Sequence, residues 1–248
     1  PQKAAEKLGN GAEKFAMHVK GNPLPAHMPR VKRGLGLIYA VNPYGADHVS
    51  SDQDQAYTSQ SPDIFKKEME SYGIDGPLEM TELGVNKVRM MYYSQQYFSL
   101  MDTLEVCAYG YGTVFLFGKK DLVNIVEAVT GWNVNLWELM KVGERRTNLL
   151  RAFNEREGFT KEQDQLPTRL FEELSEGPSE GNSVNKKMFE KAKTLYYEMA
   201  GWNPETGNPT NGKLNELGLS WIKENDKRKF AVEVVPEKIG RASCRERV

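Results

Sequence analysis

Thiols and imidazoles are scarce in this sequence. Its 248 residues hold two cysteines and three histidines (His18, His27 and His48), a set that cannot build a zinc site of known spacing. One of the cysteines, Cys244, lies in residues 239–248, a stretch with no hydrophobic period that looks like the one-frame translation of a sequencing adapter. That stretch is treated as an artefact of the read and set aside from fold reasoning. Cys107 then stands alone, which excludes an intramolecular disulfide and leads us to expect a reducing, cytoplasmic setting. Charge of one sign is missing too. Lys and Arg number 33 against 34 Asp and Glu, a net charge of −1; without the three Arg and one Glu of the set-aside stretch the balance is 30 against 33. Neither balance gives a field that recruits nucleic acid or an anionic membrane. Long apolar runs are also absent: residues 114–117 are among the longest, far short of a bilayer span. The chain opens at Pro1 inside a helical-looking stretch, with neither an initiator Met nor a signal-peptide pattern. We therefore read it as starting within a longer chain.

Apolar residues (39%) and aromatics (10%) suffice for a packed core. Residues 20–62 carry Gly21, Pro23, Pro25, Pro29, Gly34, Gly36, Pro43, Gly45 and Pro62, a density of breakers that no long helix survives. Beyond them the helical period takes over. Val88, Met91, Tyr92, Phe98 and Met101 recur at helical spacing over 86–101, and Leu122, Ile125, Val126 and Val129 repeat it over 121–130, with Gly131 as the stop. Asn135 and Glu138 form a capping box for a long helix that ends by Gly158, with Leu136, Leu139, Met140, Leu150 and Phe153 expected on its inner side. A further helix is expected over 183–199, with Val184, Met188, Ala192, Leu195 and Met199 inward, and a last short turn over 214–219. The expected fold class is mainly α.

The residues that could carry chemistry are few. Asp102 and Cys107 sit just past a helix end, before Gly110, Gly112 and Gly118; a free cysteine there is more often a small buried hydrophobe than a ligand. His48 closes the turn Gly45-Ala46-Asp47-His48, where an Asp–His neighbour pair either tunes an imidazole or is a solvated loop. Both readings stay open on the residues alone.

An ordered series of motifs carries more. His18-Val19-Lys20-Gly21, Pro25-Ala26-His27-Met28-Pro29-Arg30, Gly36-Leu37-Ile38-Tyr39-Ala40 and Gly45-Ala46-Asp47-His48 are followed by Asp102-Thr103-Leu104-Glu105-Val106-Cys107. Ala128-Val129-Thr130-Gly131-Trp132, Gly143-Glu144-Arg145, Ala152-Phe153-Asn154-Glu155-Arg156 and Gly201-Trp202 continue it, to about Trp221. In order and spacing the series resembles the C-terminal domains of the aldehyde ferredoxin oxidoreductase family. The resemblance implies residues 1–85 as the tail of a middle helical domain with Gly/Pro-rich, cofactor-facing loops, and 86–238 as a C-terminal helical domain. It implies a tungsten (or molybdenum) bis-pterin and a [4Fe–4S] cluster. Within the family's Asp-x-x-Gly-Leu-Cys motif it makes Asp102 a partner of pterin ring nitrogens, places Val106 at the cofactor and makes Cys107 an iron ligand. The chemistry of the types agrees, since a carboxylate accepts from N–H donors and a thiolate binds iron. His48 matches the family's active-site histidine, suited to moving a proton near neutrality.

This sequence departs from the family at several points. Glu105 stands at the motif's glycine and Val106 at its leucine, Tyr44 precedes Gly45 where Arg is common, Ser50 replaces a lysine seen in some members, and Met28 replaces an Asp. The family's other cluster cysteines, in a Cys-x-x-Cys-x-x-x-Cys run, are not in the chain, so the chain alone is expected to be apo and inactive. The implied reaction takes a small aldehyde and water to a carboxylic acid, with ferredoxin or a similar electron carrier as partner, no nucleic acid or membrane partner, and a homodimer left open. The alternatives are a catalytic subunit of a related acyl-CoA ring reductase or a non-catalytic helical subunit of a larger complex. His18 and His27 are expected to tolerate glutamine with little loss.

Overall fold

The computed structural model describes residues 1–112 and 116–224; the end of the expected 86–238 unit and the set-aside residues 239–248 lie outside the described residues. The described chain is mainly helical, as expected. Helix α1 (Gln2–Leu8) leads into a small antiparallel hairpin, β1 (His18–Val19) with β2 (Asn22–Pro23), in which His18 faces Pro23 and Val19 faces Asn22. Its two turn residues, Lys20 and Gly21, both have positive φ (52° and 80°), the geometry that matches strand twist in a two-residue hairpin. A left-handed lysine is strained. Buried contacts hold it: Lys20 Nζ lies 2.6 Å from Asp164 Oδ1 and donates to the Ala40 carbonyl.

The breaker-rich region forms one short helix, α2 (Arg33–Val41), buried from Gly34 to Val41. Glycine at 34 and 36 lowers helix propensity, but it lets neighbours close in. A Cβ on Gly34 would meet Asp54 Oδ1 at 2.7 Å and Lys87 Cδ at 2.9 Å, and one on Gly36 would meet Pro29 Cβ at 2.9 Å. The first amides of α2 are satisfied from a distance: Gly34 N donates to Asp54 Oδ1 (3.0 Å) and Leu35 N to Asp54 Oδ2 (2.9 Å). Helix α3 (Asp63–Glu70) follows.

The long central helix, α4 (Val85–Leu104), is buried around its whole circumference, as expected of a helix with neighbours on every side. It packs against α2, α7 (Leu136–Arg156) and α8 (Lys186–Ala200). Between α4 and α7 come the one-turn α5 (Ala108–Tyr111) and α6 (Lys119–Thr130), which ends at Gly131 with φ 70° as the sequence predicts. The capping box at the start of α7 is present: Glu138 N donates to Asn135 Oδ1 (3.1 Å) and Asn135 N to Glu138 Oε2 (3.2 Å). After α8, α9 (Asn211–Glu216) and α10 (Trp221–Glu224) close the described chain, with Leu214, Leu217 and Leu219 in a small cluster of their own.

Two expectations about facing are corrected. Leu150 and Phe153 are 38% and 51% exposed, and Met188 is 43% exposed. Besides Leu139 and Ala152, what α7 buries is instead Gly143, Glu144, Thr147, Asn148 and Arg151. These residues repeat at i, i+4 and i+8, so the inner stripe is largely small and polar rather than apolar. Gly143 shows why: a Cβ there would overlap the Gln96 carbonyl and lie 2.8 Å from Leu100 N of α4. In α8 the inward position belongs to Phe189, beside Met188.

The main apolar cluster takes residues from both sides of position 85: Leu35, Ile38 and Tyr57 join Val88 and Met91 of α4 and Phe189, Tyr196 and Trp202. A second cluster, with Tyr97, Leu100 and Met101 of α4, Leu122 and Val126 of α6, and Leu139 of α7, supports the far end of α4. Between them run buried polar junctions. Asp164 receives Lys20 (2.6 Å), Arg151 (2.8 Å) and the Tyr197 hydroxyl (2.6 Å), and Lys87 pairs with Asp54 at 2.7 Å; all five charged side chains are at most 2% exposed. No helix among the described residues is long and apolar enough to cross a membrane.

Candidate functional site

The loop that carries His48 leaves the buried end of α2. Gly45 has φ 97°, and a Cβ on it would overlap the Val19 carbonyl, so only glycine lets the loop pass this close to the hairpin. Side-chain amides then fix its course. Asn42 Nδ2 donates to Gly45 O (3.2 Å) and Ser50 Oγ (3.1 Å), Asn22 Nδ2 to Ala46 O (2.7 Å), and Asn154 Nδ2 of α7 to Pro43 O (2.8 Å). Asp47 Oδ1 accepts from Val49 N at 3.0 Å, turning the chain back on itself. It makes no bond to its neighbour's ring. Ser50, at the position of a lysine in some family members, closes the same turn through Oγ to Asp47 O (3.0 Å).

His48 is half-buried and its ring faces that of His27, with centroids 5.0 Å apart and planes inclined by 37°. Lys32 Nζ lies 2.8 Å from His27 Nδ1 and 2.9 Å from Gln53 Oε1, and Gln53 Nε2 donates to the His48 carbonyl (3.2 Å). Tyr39, at the centre of α2, donates its hydroxyl to the His27 carbonyl (3.4 Å). Burial, the Lys32 charge and His48 all hold His27 below its ordinary pKa, and burial with Asp47 raises the Tyr39 phenol. Two of the three histidines therefore meet, 21 positions apart. The sequence treated His27 as a bystander; the loop packing that joins it to His48 leaves no local periodicity to read. His18 sits on β1 with a buried Nδ1 that has no partner.

The second group lies at the end of α4. Asp102 is 53% exposed and pairs with Arg146 Nη1 of α7 at 3.1 Å. Its carboxyl pKa is raised by burial, against the pull of Arg146 and with a further push from Asp47. Glu105, at the motif's glycine, caps α4 in the left-handed conformation (φ 56°, ψ 32°), with its N–H directed to Asp102 O and Met101 O. Val106 is half-buried against the second apolar cluster and gives its N–H to Met101 O (3.1 Å). Cys107 is free and exposed. The turn beyond it is held by the Tyr97 hydroxyl on Tyr111 O (2.8 Å) and by Phe117 stacked on Tyr111, centroids 5.0 Å apart.

The described residues contain no cluster of three or more His, Cys, Asp or Glu able to hold a metal ion. Two surface depressions, of about 440 and 210 Å³, are lined by residues such as Lys67, Lys119 and Leu136, or Lys161, Glu190 and Tyr197; neither includes His48, Asp102 or Cys107.

The family model described as "Aldehyde ferredoxin oxidoreductase, domains 2 & 3" matches residues 1–219. A tungsten-containing aldehyde ferredoxin oxidoreductase of Pyrococcus abyssi is 34% identical over 213 residues, covering 85% of this chain and 32% of that protein. Its counterpart in Pyrococcus horikoshii is 34% identical over 218 residues, covering 87% of this chain and 32% of that protein. Among solved structures, the active-site complex BamBC of benzoyl coenzyme A reductase with 1,5-dienoyl-CoA superimposes with a TM-score of 0.62 at 20% identity, covering 89% of this chain and 35% of that one. The chain thus has the helical architecture of an oxidoreductase's later domains and spans about a third of the length of the relatives it matches. It belongs to the aldehyde ferredoxin oxidoreductase family.

Proposed function

We propose that this chain is the C-terminal helical part of a tungsten (or molybdenum) bis-pterin, [4Fe–4S] enzyme. The enzyme oxidises a small aldehyde with water to a carboxylic acid and hands two electrons to ferredoxin or a similar carrier. The observation that carries the reading is the family match over residues 1–219, which takes in the His48 loop, Asp102 and Cys107. The residues fit the implied groups in part. A four-iron cluster needs four ligands, and Cys107 suits one of them because its thiol is exposed and unshared. A buried, packed thiol would not.

When bound, the tungsten pterin supplies the two-electron redox chemistry. This chain's residues position and protonate. The Asp102 carboxylate, steadied by Arg146, accepts N–H donors of the pterin. Val106 seats the turn against the apolar cluster, so that Cys107 is presented outward. His48 takes up and releases the proton that the reaction moves, and the Cys107 thiolate binds iron.

The test uses the full-length enzyme, purified without oxygen. Cys107→Ala is expected to lose cluster iron and keep pterin, and Asp102→Ala to lose pterin and keep iron. His48→Asn should lower kcat for aldehyde oxidation by about a hundredfold, the usual scale of general acid–base help, with metal content unchanged. Normal iron in the Cys107 variant would remove its ligand role. Turnover of an aromatic acyl-CoA, without aldehyde oxidation, would move the chain to the ring-reductase reading.

A further inference from the structure

The His27–His48 pair contains a residue that the motif series does not mark, Lys32. An ammonium carries three donors and no acceptor. Its Nζ, 2.8 Å from His27 Nδ1, therefore meets a lone pair and not a proton. The imidazole is left with its hydrogen on Nε2. Lys32 is held to this role by a second acceptor, Gln53 Oε1 at 2.9 Å, which also receives Gln55 Nε2 at 3.1 Å. Gln53 is itself oriented by its donation to the His48 carbonyl. The bonds around the two rings thus form one connected set that runs through Lys32.

We propose that Lys32 holds His27 as a neutral imidazole protonated at Nε2, so that His48 alone of the facing pair takes up and releases a proton. Protonating His27 would set a new N–H against the ammonium at 2.8 Å and a cation beside the ring 5.0 Å away. Among the described residues no carboxylate lies within 4.0 Å of either His27 or Lys32 to offset that charge. The charged and titratable groups around them act from further out: burial lowers the Lys32 pKa and Asp54 opposes that shift, Asp47 acts on Tyr39, and Tyr39 reaches only the His27 carbonyl. Two facing imidazoles without such a lock would titrate as a coupled pair, with neither owning the proton. Lys32 and His27 are positioning residues in this scheme. It rests on the proposed function only in giving His48 a proton to move.

The test needs no cofactor. With three histidines in the chain, ¹⁵N-histidine labelling of the full 248-residue protein gives three ring systems in long-range ¹H–¹⁵N spectra, and His27→Gln assigns one of them. His27 is expected to show the Nε2–H tautomer and to stay neutral as the pH falls from about 8 to 6. In Lys32→Met its protonation should become at least tenfold easier, a shift of about one pH unit. An Nδ1–H tautomer in the wild-type protein overturns the proposal, as does a His27 titration that Lys32→Met leaves in place. If Lys32→Met does not fold, the wild-type tautomer decides alone. A full-length enzyme that fails to oxidise aldehydes would count against the proposed function and leave this result standing.

Discussion

Asp54 holds three donors that no local sequence pattern connects to it. Its Oδ1 takes Lys87 Nζ (2.7 Å) and Gly34 N (3.0 Å), and its Oδ2 takes Leu35 N (2.9 Å), with both charged side chains at 0% exposure. Removing one partner of a buried ion pair leaves a charge without compensation, at about 3–5 kcal/mol. The two orphaned amides of α2 add to this, at about 1 kcal/mol each. Asp54→Ala is therefore expected to cost about 4 kcal/mol or more, a large part of the 5–15 kcal/mol typical of a folded domain. Lys87→Met should cost less, about 1–3 kcal/mol, because Asp54 keeps both amides and the positive end of α2. Urea unfolding of the two variants measures the difference. Amide exchange adds a local reading: Asp54→Ala should speed exchange at residues 47–57, where Gln53 holds the His48 carbonyl and Lys32. Equal costs for the two substitutions, or a loss under about 1 kcal/mol for Asp54→Ala, would refute the reasoning, since an ion pair alone predicts symmetry.

Glu105→Gly should raise the urea midpoint, adding about 1 kcal/mol, because the residue sits at φ 56° where a Cβ is penalised and glycine is the usual helix stop; an unchanged midpoint would mean that the glutamate side chain offsets the strain. Burial lowers the Lys20 pKa to about 8 from 10.5, with Asp164 opposing, so the folded state binds fewer protons than the unfolded one between those values. Stability should then rise with pH from about 8 to 9.5, by up to about 1.4 kcal/mol per unit relative to Lys20→Met. A wild-type and variant that run parallel across that window would refute it.

Much of the helical frame was legible because its signals are local. The stop at Gly131, the Asn135–Glu138 box and the period of α4 depend on residues a few positions apart, and each appears where the spacing put it. The facing of α7 was not legible. Its inner stripe is largely polar, so the apolar repeat points to Leu150 and Phe153, which look outward. Polar residues are buried there only because distant partners satisfy them: Asn148 accepts from Trp202 Nε1 at 2.8 Å, and Glu144 accepts from Tyr92 at 2.8 Å. Those partners lie 54 and 52 positions away. The site divides in the same way. Asp102, Val106, Cys107 and His48 came from motif order, whereas His27 and Lys32 enter through packing between loops.

The same polar helix accounts for how the two halves of the candidate site keep their spacing. Gly143 lets α7 press against the backbone of α4 at Gln96 and Leu100, which fixes the height of one helix on the other. Less than a turn further along, Arg146 reaches Asp102 at the end of α4. Eight residues beyond that, Asn154 holds the Pro43 carbonyl at the start of the His48 loop. At 1.5 Å per residue the two attachment points are about 12 Å apart along one rigid element. The spacing between the Asp102 turn and the His48 loop is therefore set by a helix rather than by either loop. Loops 55 residues apart in sequence can then face a common ligand. The residues that do this holding, Arg146 and Asn154, lie off the buried stripe of α7, so the helix packs on one face and positions loops from its flanks.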